Sequence, residues 1–216
     1  MIKQELRSTI KNLLQKYTEG AEYHNEIIDR AIERVINQLY TATFLASPLS
    51  IQRYVKRFGG TTAIPVVLDA VAGIYYSSYP TGYSIVPLPD KSSGVRRVST
   101  VAQAGITFFP MDQRELELVN DSYFENVSDK IGYVVTQDRV EYYGMTVPIA
   151  TAGVRMDLLI PFSDYGENDE VLVPEIPDKS NIGFTDMVLT ILSVIQPIET
   201  KDDNLTETTV PQKPKQ

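Results

Sequence analysis

Ile131-Gly132-Tyr133-Val134-Val135-Thr136-Gln137-Asp138-Arg139-Val140-Glu141-Tyr142-Tyr143 places two β-rich runs on either side of a polar dipeptide. That is the pattern of a hairpin, although Gln-Asp is not among the strongest turn formers. Downstream, Val154, Met156, Leu158 and Ile160 alternate with Arg155, Asp157 and Leu159, which suits a strand buried on one face. An acidic stretch follows. Ile182 to Gln196 then carries apolar residues at helical spacing and stops at Pro197. A strand block that hands over to a closing helix is a scaffold, and no catalytic constellation sits in it. The pattern points to an assembly module more readily than to an enzyme.

Working back towards the N-terminus, Ile2, Leu6, Ile10, Leu13, Leu14 and Tyr17 recur at intervals of three and four, the stripe of an amphipathic helix. Gly20 is a natural stop. A second helix is expected from Asn25, a good capping residue, through Ile28, Ile32, Val35, Ile36 and Leu39 towards Phe44, ending at Ser47-Pro48. Two such helices form an αα-hairpin. Ser50 to Phe58 alternates roughly, and its Arg53, Lys56 and Arg57 mark an edge or exposed strand. Residues 61–73 stay open between helix and strand. Short β pieces are expected at Gly73–Ser77, Gly94–Val98 and Ile106–Phe109. Asp112-Gln113-Arg114-Glu115 has the form of a capping box opening a short helix through Leu116 and Val119.

The expected organisation is α+β: a helical hairpin over 1–46 and a mostly antiparallel β-rich domain over 47–179, sandwich or barrel-like, with a short helix near 112–120. A closing helix over 180–197 returns to the helical layer, and a disordered polar tail covers 198–216. Asp164 to Asp178 holds six acidic residues and no basic one, a loop with little intrinsic order.

Composition narrows the function classes. No membrane-length run is free of charge, so no transmembrane segment is expected, and the first residues lack the apolar core of a secretory signal. Cysteine is absent, which removes disulfides and thiolate chemistry and fits a reducing cytoplasm. Residues 1–60 hold nine Lys/Arg against six Asp/Glu, net +3; the rest holds eleven against twenty-two, net −11; together they make −8. An acidic chain is a poor candidate for tight duplex binding, which needs clustered Lys and Arg.

Histidine occurs once, at His24, so a zinc site or a Ser-His-Asp triad is hard to build; at a helix start it reads as a surface residue. Gly59-Gly60-Thr61-Thr62 lacks the lysine of a P-loop, and no dinucleotide fingerprint or nucleophile elbow is present. No catalytic, cofactor-binding or metal-ligating set is assigned. Asp164-Tyr165-Gly166-Glu167-Asn168-Asp169-Glu170 is dense in carboxylates, but its spacing is not that of a calcium loop. The thirteen tyrosines are open between strand packing and an interface role.

The order of elements, together with Val86-Pro87-Leu88-Pro89, Phe109-Pro110-Met111-Asp112, Pro161-Phe162-Ser163-Asp164-Tyr165-Gly166 and Val171-Leu172-Val173-Pro174-Glu175, resembles the neck or connector proteins of tailed bacteriophages. It is most similar to virion ring proteins of crAss-like phages of Bacteroides. The resemblance covers most of residues 1–197 through element order and short phrases. It implies a non-enzymatic virion structural protein made in the host bacterial cytoplasm. Such a protein forms a homo-oligomeric ring of twelve copies between portal and tail, beside other neck and tail proteins. DNA passes through that ring without specific binding, and no membrane or cofactor is involved.

A head-to-tail ring needs two different lateral faces. Tyr75 and Tyr76 on the strand block are candidates for one. Arg53, Lys56 and Arg57 are candidate partners for Asp164, Glu167, Asp169 and Glu170 of a neighbouring copy, with the acidic loop reaching across. Two other classes stay open: a virion-associated hydrolase using paired carboxylates, and a monomeric tail- or capsid-associated binding module.

Overall fold

The computed structural model describes residues 2–17, 24–101, 106–112, 114–115, 130–172, 174, 188 and 192. The N-terminal periodicity folds as expected into α1 (Lys3–Tyr17) and α2 (Asn25–Ala46). Leu6, Ile10 and Leu14 bury one stripe of α1; Ile28, Ile32, Val35, Ile36, Tyr40 and Phe44 bury one stripe of α2. His24, not Asn25, occupies the cap of α2, with extended backbone and no side-chain capping bond. The turn containing Gly20 lies outside the described residues.

Among the described residues eight strands follow: β1 (Lys56–Phe58), β2 (Val67–Asp69), β3 (Ile74–Ser78), β4 (Val95–Thr100), β5 (Thr107–Pro110), β6 (Lys130–Val135), β7 (Arg139–Tyr143) and β8 (Val154–Leu158). A short helix α3 (Val147–Ala152) leads into β8. The strands make two open sheets, one of order β1-β8-β4 and one of order β2-β3-β7-β6-β5. Every pairing is antiparallel except β5 with β6. The fold is therefore α+β, with neither sheet closing into a barrel.

The opening hairpin is β6–β7, with Gly132 opposite Tyr143 and Val135 opposite Val140. Thr136 braces its turn by donating its backbone N–H and its hydroxyl to the Arg139 carbonyl. β8 is the central strand of the smaller sheet, and Val154, Met156 and Leu158 are wholly buried. One buried face was expected, yet Asp157 on the other face is also buried. It lies opposite Arg57 on β1 and Arg97 on β4, which shelter it from both sides.

Ser50 to Phe58 departs from the strand expected of it. Ser50–Tyr54 is a 3-10 helix and only Lys56–Phe58 is extended. Ile51 and Tyr54 stand three apart, one turn of such a helix, so both face the core, with the Tyr54 ring 6.2 Å from that of Tyr40. β1 is an edge strand, as its charges foretell. In the ambiguous segment, Ile64 bridges Val154 and Val67–Asp69 forms β2. The Asp69 carboxylate accepts from the N–H groups of Val71 and Ala72 and sets the turn into β3.

Two glycines hold the smaller sheet's connections. Gly153, at φ +75°, would bring a Cβ to 2.7 Å from the Ile64 carbonyl oxygen. Gly59, at φ +82°, would bring one to 2.7 Å from that of Val154. The capping box forms reciprocally: Glu115 N–H donates to Asp112 at 2.9 Å, and the Glu115 carboxylate accepts from Asp112 N–H at 3.0 Å. Leu116, Val119 and the tail over 198–216 lie outside the described residues, as does most of the closing helix. Val188 and Leu192, both helical and wholly buried, belong to the same hydrophobic cluster as α1, α2 and both sheets.

Candidate interaction surface

The acidic loop is tied to α1, α2 and β1. Its backbone supplies what the first turn of α1 lacks, since the leading N–H groups of any helix have no partner within it. Lys3 N–H donates to the Asp169 carbonyl at 3.0 Å and Gln4 N–H to that of Glu167 at 3.1 Å. Ile2 bridges Glu170. The Lys3 side chain, only 5% exposed, donates its ammonium to the carbonyls of Tyr165 (2.8 Å) and Ser163 (3.1 Å) and lies 4.9 Å from the centre of the Phe162 ring.

Arg7 closes the arrangement from the helical side. Its guanidinium grips Asp29 of α2 at 2.6 and 2.7 Å and Glu167 at 2.8 and 3.0 Å. Paired forks of this kind are stronger and more directional than a lysine contact. Arg7 holds the Glu167 carboxyl below its ordinary value of 4.5 through that hydrogen bond. Lys56 pairs with Asp169 at 3.0 Å and, with the Gly166 N–H, holds that carboxyl below 3.8. Desolvation is the largest single influence on Lys56 and opposes its charge. Hydrogen bonds to Asp169 and Tyr83 outweigh it, so the ammonium's affinity for its proton rises. Asp164 accepts from both the N–H and the hydroxyl of Ser84, at 2.6 and 2.7 Å.

Asp164, Glu167 and Asp169 are thus engaged through their side chains inside their own chain, and Glu170 is tied there too through its bridge to Ile2. The loop expected to have little order is fastened over 164–172 by α1, α2 and β1. The reason is not local, because the cations that satisfy it come from Lys3, Arg7 and Lys56. The Lys56–Asp169 pair envisaged between copies forms within one copy. Arg57 pairs with Asp157 of β8 at 2.9 Å, while Arg53 is exposed on the 3-10 helix. Tyr75 and Tyr76 are half-buried on β3, and the Arg139 guanidinium lies 4.7 Å from the Tyr76 ring. Among the described residues no group of three His, Cys, Asp or Glu is placed to hold a metal ion. His24 is exposed.

The open surface lies elsewhere. β2 is an edge strand of the five-stranded sheet. It exposes Val67 (48%) and Leu68 (49%), and Val71, in the turn that follows, is 99% exposed. Natural edge strands are usually blunted by charge, proline or a bulge, and here apolar side chains stand beside an edge left unpaired among the described residues. Sequence reasoning missed these three because residues 61–73 stay open between helix and strand, so no exposed face can be assigned to them. The only outward signal is that Ala70 and Val71 follow the turn-forming Asp69. Among the described residues no helix is long and apolar enough to cross a membrane. Compared with protein-family models, curated proteins and solved structures, the chain matches none.

Proposed function

We propose that this chain is a virion structural subunit that forms a homo-oligomeric ring in the neck of a tailed bacteriophage, joining portal to tail around the DNA path. The observation that carries the ring is the apolar β2 edge, which pairs with no second strand among the described residues and has Val71 at its tip. An open edge is a ready template for a second chain. A head-to-tail ring needs a second, unlike face, and β5, at the opposite end of the same sheet, is the candidate for it. Burying a valine or leucine side chain fully is worth about 1.5–3 kcal/mol each, whereas an exposed ion pair is worth roughly 0–1. The apolar edge therefore holds the contact and charges orient it.

The location in the virion rests on the resemblance of element order and of the Pro161–Gly166 phrase, which lies at the clasp, the acidic loop fastened by Lys3, Arg7 and Lys56. The net charge of −8 suits a passage along which DNA slides without being gripped. Twelve copies, with portal and tail proteins above and below, complete the proposal. Electron microscopy of the purified chain and of intact particles tests it: rings of fixed rotational symmetry, and a matching ring at the neck, are expected. Val71→Asp with Leu68→Asp should leave circular dichroism unchanged and abolish rings. A wild-type chain that stays monomeric both alone and beside its portal would favour the monomeric binding module instead.

A further inference from the structure

The outer face of the smaller sheet carries a charge arrangement that the ring does not use. On β8, Arg155 and Asp157 point away from the core side chains Val154, Met156 and Leu158. Arg57 of β1 and Arg97 of β4 both stand opposite Asp157, and Ser99 of β4 stands opposite Arg155. Together with Gly60 they line a cleft of about 280 Å³. That is just below the roughly 300–1,000 Å³ of pockets that enclose a whole small molecule, so the cleft suits one charged group. Nothing lies within 4 Å of where a Gly60 Cβ would stand, which leaves the entrance open.

Asp157 is 8% exposed and balances one guanidinium, that of Arg57. Two positive charges remain. Arg155 uses only its Nε, donated to the Gly59 carbonyl at 3.2 Å. Among the described residues Arg97 makes no ion pair or side-chain hydrogen bond. Arg97 is exposed, so water satisfies its donors in the free chain, and the cleft gathers two guanidinium forks and a hydroxyl around space that an anion can take in water's place. A carboxylate is planar and is satisfied by one fork. Donors arriving from two strands and three side chains match the diverging oxygens of a tetrahedral group better.

We propose that Arg97, Arg155 and Ser99 form a binding site for a phosphate group, with Asp157 holding Arg57 at its rim. The inference stands apart from the ring, since no residue of the β2 edge takes part. The phosphate can come from a free phosphomonoester or from a nucleic-acid backbone, and the two are separable by competition. Calorimetric titration of the full chain with inorganic phosphate at constant ionic strength should show saturable binding. Arg97→Ala and Ser99→Ala should each weaken it, the first by about tenfold or more, the scale of one charge-assisted hydrogen bond. Circular dichroism should be unchanged, because both side chains lie on the outer face. Arg97→Lys keeps the charge but not the fork, and should recover only part of the binding.

A short duplex that displaces phosphate, with an affinity that falls as salt rises and on Arg97→Ala, identifies the polymer as the source. Phosphate that stays bound beside the duplex identifies the free ion. Absence of saturable binding by either probe overturns the site. So does binding that Arg97→Ala leaves intact, or a glutamate-rich peptide that binds there more tightly than phosphate.

Discussion

At the scale of single residues, the chain is held by a few positions with no slack. Ile32 is wholly buried on α2, and Ile32→Asp would place an unpaired charge there at a cost on the order of several kcal/mol. Loss of the cooperative thermal transition is the expected result. Gly153→Ala meets a positive φ and the Ile64 carbonyl together. A destabilisation of roughly 1–3 kcal/mol should appear in denaturant titration. The clasp carboxylates give a pH signature. Both Glu167 and Asp169 sit below their ordinary values of 4.5 and 3.8. A depressed carboxyl contributes stability that is complete above its unfolded value and is lost as pH falls through its folded value. Melting temperature should therefore decline as pH drops below about 4.5, and Arg7→Met should flatten the Glu167 part of that decline while leaving the neutral-pH slope alone.

At the scale of elements, the clasp separates the three basic residues of the 50–58 segment. Lys56 is bonded to Asp169 and sits 4.9 Å from the Tyr83 ring. Lys56→Glu would put like charges in contact and loosen β1 from the loop. Arg53 is exposed on the 3-10 helix, and Arg53→Glu should be silent in stability. Melting curves of the two variants side by side check this, and equal curves would remove Lys56 from the clasp. In the proposed ring, charge reversal at Lys56 would thus act through the subunit's own fold, so a test of the proposed contacts between copies belongs at Val67, Leu68 and Val71. The same scale explains the 3-10 turn. A rough alternation over nine residues is overridden when two large side chains three apart both find the core.

Taken whole, the molecule joins its two halves at the start of the chain. α1 buries Leu6, Ile10 and Leu14 and also receives the loop's carbonyls at its first turn. Deleting residues 1–17 removes the apolar stripe that covers α2 together with the donors that fasten residues 163–170. The truncated chain should lose its cooperative transition and be cut rapidly by protease within the 163–172 stretch. A stable, protease-resistant remainder would make α1 a detachable arm.

The sequence by itself determined the local elements. The stripes of α1 and α2, the β6–β7 hairpin, the extended β8 and the Asp112–Glu115 capping box all follow from periodicity and short-range chemistry, whereas the central place of β8 in its sheet does not. It also determined the edge character of β1, since charges on a strand favour solvent. Tertiary structure alone decided the partners. Asp164 to Glu170 reads as a self-repelling loop, and only the arrival of Lys3, Arg7 and Lys56, more than a hundred residues away in the chain, turns it into the cap of a helix. Likewise Arg57, Arg97 and Arg155 lie in three unrelated segments until strand register sets them on one face. The exposure of Val67, Leu68 and Val71 depends on β2 falling at the sheet's edge. Hydrophobicity reports what a side chain would gain by burial, but strand order fixes whether anything is there to bury it.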